Sequence, residues 1–364
     1  MNCESKKYRR IVVKIGSNVL TREDGRPDTT RISALVDQIA GLYRAGVEVI
    51  LVSSGAVASG RSVLEPRVGR IDTVSARQLF SAVGQVKLLN RYYDLFNEYG
   101  IVCGQVLTTK ESLSTRRQYL NQRNCMETML ANGVLPIVNE NDTISVTELM
   151  FTDNDELSGL VAAMMDAEAL VILSNIDGIY DGSPADPASQ VIRRVAPGRD
   201  LSQYIDTARS SRGRGGMTTK SRISSRVAGE GIEVVIANGR RDGILTDLVL
   251  TDRDVVCTRF EAAPRPASGV KKWIASSEGF AKGALHLDAG AAAAISQSKA
   301  ASILAVGVTA VEGEFERDDI VRILSPEGAP LGVGRISCDS ATARRNLGRK
   351  GLKPLIHCDY LYLE

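Results

Sequence analysis

Histidine is almost absent from this chain of 364 residues: His286 and His357 are the only two. A multi-histidine zinc site or a Ser-His-Asp triad cannot be built from residues before His286. Cysteine is sparse and scattered. Cys3, Cys103, Cys125, Cys257, Cys338 and Cys358 form no C-x-x-C pair, which removes zinc ribbons and thioredoxin-type motifs. Single thiols of this kind fit a reducing cytosol better than a disulfide framework. No run approaches the roughly 18 consecutive apolar residues of a membrane span. The apolar run Ile11 to Val13 stops at Lys14, too short for a signal peptide. Neither charge dominates: 45 Lys+Arg face 43 Asp+Glu, a formal net charge of +2, against a protein built wholly for nucleic acid. The expectation is a cytoplasmic protein with no membrane partner.

What is present is ordinary globular material, 43% hydrophobic and 24% charged. The length suggests about two or three domains. The first 240 or so residues alternate strand and helix signals. Strands are predicted over Ile11–Ile15, Val47–Val52, Ile101–Leu107, Val134–Val138, Ala169–Leu173 and Ile232–Ala237. Thr30 is expected to cap a helix with apolar positions from Ile32 to Tyr43, and further helices are predicted from Leu79 to Phe96, Thr115 to Ala131, Asp155 to Met165 and Thr218 to Gly229. Their apolar residues recur in steps of three and four. This grammar implies βαβ units and a mostly parallel sheet covered on both faces.

Glu261 to Gly269 breaks the pattern with two prolines and small residues. After it come short strand-like runs punctuated by glycine: Gly283–Leu287, Ile303–Thr309, Ile320–Leu324, Gly332–Ile336 and Leu355–His357. The expected division is an α/β domain over residues 1–260, a linker over 261–270 and a β-rich domain over 271–364. Trp273 reads as a packing anchor, the two histidines as structural, and Cys103 and Cys125 as core.

Ligands of open α/β sheets bind past the carboxyl ends of the strands. Lys14, Gly16 and Ser17 follow the first strand; Ser53-Ser54-Gly55-Ala56 the second; Asn139-Glu140-Asn141-Asp142 the fourth; Ser174 and Asn175 the fifth. Each has a plainer reading. Lys14 stands where a solvated surface lysine is common, and Ser53 to Gly55 could be a turn with a helix cap. Asp153-Asn154-Asp155 offers more Asx residues than one cap needs. Gly213 to Lys220 joins three glycines, two threonines and a lysine directly before a helix. Such a loop can cradle phosphates, although it is not a Walker A sequence. The set suits phosphoryl transfer, with two lysines from distant parts of the chain flanking the migrating group and a carboxylate such as Asp155 holding them. A carboxylate acceptor, with a pKa near 4.3, would arrive ionised and need no histidine base.

The motifs Val13-Lys14-Ile15-Gly16-Ser17, Val52-Ser53-Ser54-Gly55-Ala56, Ala82-Val83-Gly84-Gln85, Val138-Asn139-Glu140-Asn141-Asp142, Asp153-Asn154-Asp155 and Gly215-Gly216-Met217-Thr218-Thr219-Lys220 resemble, in order, those of the glutamate 5-kinase branch of the amino acid kinase family. Lys271-Lys272-Trp273-Ile274, Gly283-Ala284-Leu285, Asp288-Ala289-Gly290-Ala291, Val311-Glu312-Gly313-Glu314-Phe315 and Val321-Arg322-Ile323 resemble a PUA domain, a small β-rich pseudo-barrel. The resemblance implies ATP-dependent phosphorylation of the γ-carboxylate of L-glutamate to glutamyl 5-phosphate in proline synthesis, with Mg2+ bridging the nucleotide phosphates. By motif it makes Lys14 and Lys220 the charge-stabilising pair and Asp155 their organiser. It puts Ser54, Gly55, Asn139, Asp142, Asp153 and Asn154 at the glutamate site. Lys14, Ser174, Asn175, Arg214, Gly215, Gly216, Met217, Thr218, Thr219 and Lys220 fall at the nucleotide. It further implies feedback inhibition by proline, a homo-oligomer (dimer or tetramer), and a glutamyl phosphate reductase as candidate recipient of the product.

Three positions depart from the family pattern: Thr152 for a usual Gly, Asn175 for a frequent Asp, and Arg214 for Thr or Ser. Other acceptors (acetylglutamate, aspartate, carbamate) remain open on the residues alone. An RNA-binding reading rests on the PUA resemblance and on Arg344, Arg345, Arg349, Lys350 and Lys353. Residues 271–364, however, hold twelve Lys+Arg against eleven Asp+Glu, a net charge of +1.

Overall fold

The central strands are buried along their whole length, which sets the architecture. In the computed structural model, β1 (Arg10–Ile15) lies between β2 (Glu48–Ser53) and β5 (Ala169–Ser174), parallel to both. Every residue of β1 and β5 is out of water, so both faces of the sheet are covered. With β3 (Val102–Thr108), β4 (Val134–Glu140), β6 (Arg194–Val195), β7 (Glu233–Asn238) and β8 (Thr258–Phe260) they form one sheet ordered β3-β4-β2-β1-β5-β7-β8-β6. β8 runs antiparallel to β7; every other pairing is parallel. The strand order turns around at β1, so the crevice beyond the carboxyl ends of β1, β2, β4 and β5 is the expected ligand position. The structure describes residues 7–64, 69, 71–110, 113, 116–145, 151, 153–184, 186–204, 216–251, 253–264, 274, 281–297 and 301–363. Among them no helix is long and apolar enough to cross a membrane.

Local rules explain the helices that carry the crevice. After the short α1 (Ser17–Leu20), α2 (Thr29–Arg44) is capped by Asp28 instead of the expected Thr30; the Asp28 carboxylate accepts from the Arg31 amide at 3.1 Å. It buries Ile32, Leu35, Val36, Ile39 and Leu42. α3 (Ala56–Leu64) and α4 (Thr73–Asn97) approach through two glycines. A Cβ on Gly84 would lie 1.8 Å from the Ala56 carbonyl oxygen, and one on Gly60 1.8 Å from that of Phe80. α4 begins six residues before the expected Leu79, because Asp72 caps it on the amides of Val74 and Ser75. α5 (Arg116–Ala131) precedes β4. α6 (Asn154–Met164) meets α7 (Met217–Gly229) at Gly159, where a Cβ would come within 2.9 Å of Val227. A short α8 (Ile244–Val249) closes the series.

The chain divides into two compact units: residues 1–110 with 120–266, and residues 267–364 with 111–119. Of the expected linker 261–270, residues 265–270 lie outside the described residues. The second unit holds a five-stranded sheet of β9 (Gly283–Leu287), β10 (Val308–Gly313), β11 (Ile320–Leu324), β12 (Pro330–Arg335) and β13 (Leu361–Leu363), ordered β10-β9-β11-β12-β13. Leu285, Leu287, Val321, Ile323, Ile336 and Ile356 form its core.

Some expectations for both units need correction. Ile303 and Ile356 make one isolated antiparallel bridge rather than strands, and Ala305–Gly307 is a 3-10 turn; the strands proper are β10 and β13. Cys103 is buried as expected, but Cys125 is exposed on α5. Trp273 lies outside the described residues.

Candidate active site

Lys14 sits on β1 with its side chain 6% exposed. The surface-lysine reading is therefore ruled out. A buried ammonium needs a partner. Asp155, in the first turn of α6 and 1% exposed, supplies it: Oδ1 lies 2.5 Å from Lys14 Nζ and Oδ2 2.9 Å from Lys220 Nζ on α7. The Gly159 contact between α6 and α7 is what brings Lys220 to this carboxylate. Burial alone would raise the Asp155 pKa; the two lysines override it and hold the carboxyl down at about 2. Its neighbour Asp153 caps α6, accepting from the amides of Asp155 and Glu156 at 3.0 Å each. Burial, reinforced by the charge of Asp155, pushes Asp153 up to about 7. The Asx run thus divides its work: Asp153 is the cap, and its two followers reach into the crevice.

Asn154 points the other way. Its Nδ2 is within reach of the Ser53 carbonyl at 3.1 Å, Ser54 Oγ at 2.9 Å and Asn139 Oδ1 at 3.0 Å. Asn139 in turn donates to Gln85 Oε1 at 2.8 Å. This amide chain links the ends of β2 and β4 to α6 and α4 and fixes their polar atoms. Gly55, at φ +102°, turns the backbone from β2 into α3, a conformation that favours glycine. Asp142 pairs with Arg77 of α4, which also lies 3.2 Å from Glu140 Oε2.

These residues line one cavity of about 1990 Å³ at the carboxyl edge of the sheet. It is larger than the roughly 300–1,000 Å³ of a single ligand pocket and has room for two substrates. Lys14, Gly16, Ser54, Gly55, Asn139, Asp142, Asp153, Asn154, Asp155, Ser174, Asn175, Gly216, Met217 and Lys220 are all on its wall. Gly216 caps α7 without a side-chain hydrogen bond, and no acidic residue stands in the first turn. That leaves its leading amides for an anion or water. Thr218 and Thr219 follow on α7 and are not among the lining residues. Arg214, Gly215 and Thr152 lie outside the described residues.

Two wall residues, Glu140 and Arg77, and Gln85, which does not line the cavity but holds Asn139, carry no local sign of their role in the sequence. Glu140 stands inside a quoted motif, yet its alternation with Asn139 and Asp142 gave no sign that it is buried. Gln85 also stands in a quoted motif, and its partner on β4 is 54 residues away. Arg77 sits on a polar stretch of α4 and meets its carboxylates across 63 and 65 residues. Such distant pairings leave no local signal.

Comparison with known proteins defines the family and the fold. Residues 9–238 match the profile of the amino acid kinase family, and residues 283–355 match the PUA domain. The class is therefore an amino acid kinase fold followed by a PUA domain. The carbamate kinase from Giardia lamblia bound to AMP-PNP shares the fold, with a TM-score of 0.50 at 15% identity over 71% of this chain and 99% of that one. The glutamate 5-kinase of Bacteroides thetaiotaomicron is 65% identical over 98% of this chain and 99% of the relative. That of Chlorobaculum tepidum is 47% identical over 98% of each. At this identity and coverage the chain belongs to the amino acid kinase family and, within it, to the glutamate 5-kinases.

Proposed function

We propose that the chain transfers the γ-phosphoryl group of Mg-ATP to the γ-carboxylate of L-glutamate, giving L-glutamyl 5-phosphate for proline synthesis. The observation that carries this reading is the buried Lys14–Asp155–Lys220 cluster, two cations on one anion on the wall of a cavity with room for two substrates. A γ-carboxylate oxygen attacks the γ-phosphorus. The bond from that phosphorus to the bridging oxygen breaks, and ADP leaves with the electron pair. Charge grows on the equatorial oxygens and the leaving phosphate, where Lys14 and Lys220 neutralise it. Asp155 keeps both ammonium groups in place; held near pKa 2, it stays ionised at any working pH. The acceptor is already ionised, so positioning replaces a general base. Ser54, Asn139, Asp142 and Asn154 bind the glutamate; Gly16, Ser174, Asn175 and the start of α7 take the nucleotide. Asp155 is committed to its lysines, and Asp153 Oδ2 is buried without a hydrogen-bond partner among the described residues. That oxygen is the donor that would hold a Mg2+ brought in with ATP, which would supply positive charge at the phosphates.

Protein, Mg-ATP and L-glutamate mixed with hydroxylamine should trap the acyl phosphate as a hydroxamate. Absence of a glutamate-dependent hydroxamate would sink the reading. Proline added to the same assay should inhibit competitively with glutamate; turnover indifferent to proline would remove feedback from the proposal. Light scattering should give a dimer or tetramer, and a monomer at assay concentration would remove the oligomer.

A further inference from the structure

The reaction described above leaves two charged wall residues at the end of β4 and on α4, Glu140 and Arg77, without a role. Arg77, in the second turn of α4 and 19% exposed, reaches two carboxylates at the end of β4. Its Nη2 lies 3.2 Å from Glu140 Oε2 and also contacts Asp142 Oδ1. Both acids are nearly withdrawn from water. The second oxygen of Glu140 accepts from the Phe151 amide at 3.0 Å. The second oxygen of Asp142 has a long contact with the Ser81 hydroxyl, 3.5 Å. Two buried carboxylates thus share one guanidinium, and with both ionised the cluster carries one surplus negative charge among the described residues. Glu156 on α6 also faces Glu140, but it is paired with Lys110 at 3.7 Å and changes the balance little. Burial, with Asp142 adding to it, pushes Glu140 up to about 7, and Arg77 offsets this only in part.

A surplus buried charge is costly unless a counter-ion arrives. Elsewhere on the same wall Lys14 and Lys220 share Asp155, a reverse surplus that holds while the neighbouring Asp153, pushed up to about 7, keeps its proton. The cavity is therefore bipolar. A molecule with an anion at one end and a cation at the other matches it.

We propose that Arg77 and Glu140 are positioning residues that make this end of the cavity select an acceptor bearing an ammonium group. Arg77 holds one oxygen of Asp142 and leaves the other for the ammonium; Glu140 supplies the surplus charge and anchors the backbone at Phe151, two residues before the cap Asp153. The inference rests on the glutamate reading above, in which Asp142 is already a substrate contact, and adds the two residues that set its charge.

The test compares L-glutamate with glutarate, which has the same carboxylates and no ammonium, in the hydroxamate assay. The wild-type chain should prefer L-glutamate in kcat/KM. In Glu140→Gln the KM for L-glutamate should rise by roughly 10-fold or more, as expected for a weakened charged contact. Its kcat should stay within a few-fold, and the preference over glutarate should shrink in proportion. Arg77→Met should lose more of the preference, and Arg77→Lys should recover part of it. A purely structural role would move both acceptors together. A second measurement needs no variant: the wild-type KM for L-glutamate should fall between pH 6 and 8, while that for glutarate should not. Undiminished preference in Glu140→Gln, or parallel pH profiles for the two acceptors, would overturn the inference and leave the reaction standing. No hydroxamate from wild type with L-glutamate would overturn the reaction itself.

Discussion

Charge is handled in opposite ways in the two units. In the first it is buried and left unbalanced: two lysines share Asp155 on one part of the cavity wall, and two carboxylates share Arg77 on another. In the second unit the pairs lie at the surface and balance. Arg344–Glu314 has side chains 40% and 79% exposed, and in Lys282–Asp319 the lysine is open to water and the aspartate half-buried. Buried surplus charge costs folding energy and is kept where ligands of opposite charge arrive; exposed pairs contribute little. Electrostatics thus favour the first unit for the proposed chemistry, and each of the following measurements bears on that contrast.

The largest effect is expected at the lysine end. Lys220→Ala removes one of two cations while Lys14 still satisfies Asp155, so the variant should fold. Its kcat in the hydroxamate assay should fall by roughly 10²–10³, as for loss of one group that stabilises developing charge. Turnover within a few-fold of wild type would remove Lys220 from the reaction. Asp155→Asn should lose at least as much, since it frees both ammonium groups at once.

Packing comes next. Gly84→Ala places a Cβ 1.8 Å from the Ala56 carbonyl oxygen and 2.4 Å from the Gly60 amide nitrogen. Both are backbone atoms, so no side chain can yield, and α3 must shift with the Gly55 turn that leads into it. Urea melts should show a loss of about 1–3 kcal/mol, typical of overpacking. In the second unit, Gly328 has open space around it and pays only for its φ of +81°. Gly328→Ala should cost less, roughly 1–2 kcal/mol. The reverse order would mean that the α3–α4 contact is not what fixes the crevice.

A smaller effect is expected from pH. Glu140 titrates at about 7 in the folded chain, against 4.5 ordinarily. Its ionised form therefore weakens the fold: stability from this group falls as pH rises from about 4.5 through 7 and then levels. Asp153 acts in the same sense. Asp155 acts in the other, stabilising above its ordinary 3.8 and losing that contribution as pH falls toward 2. Glu140→Gln mimics the protonated acid, so the Tm of the variant should exceed that of wild type at pH 8 and converge with it at pH 5. An advantage that does not change with pH would mean that Glu140 is uncharged throughout.

Much of this contrast is legible in the sequence. The alternation of buried runs and helical stripes gave the parallel sheet, because a strand covered on both faces has to read as continuously apolar. Lys14, Asp155 and Lys220 stood out as charges at strand ends and a helix start. What stayed hidden depends on pairing across the chain. Nothing near Arg77 announces two carboxylates more than sixty residues away. Nothing near Gly159 shows that it sets the approach of α7. In the second unit, Ile303 and Ile356 carry strand-like apolar character, yet they pair with each other through a single bridge, and the ladder forms elsewhere.

The smallest effect is expected at Arg344. Its guanidinium meets Glu314 at 2.7 Å, a distance similar to those in the cavity, and also donates to the Gly313 carbonyl at 2.6 Å. Distance alone would rank this contact with Lys220–Asp155. Exposure ranks it far below: water and salt screen the pair, and each partner is well solvated once the other is removed. Arg344→Ala should therefore leave kcat, both KM values and the Tm unchanged within error, in low and in high salt. A fall in turnover would show that this surface serves the kinase unit directly, and burial would then no longer separate the charges that do chemistry from those that do not.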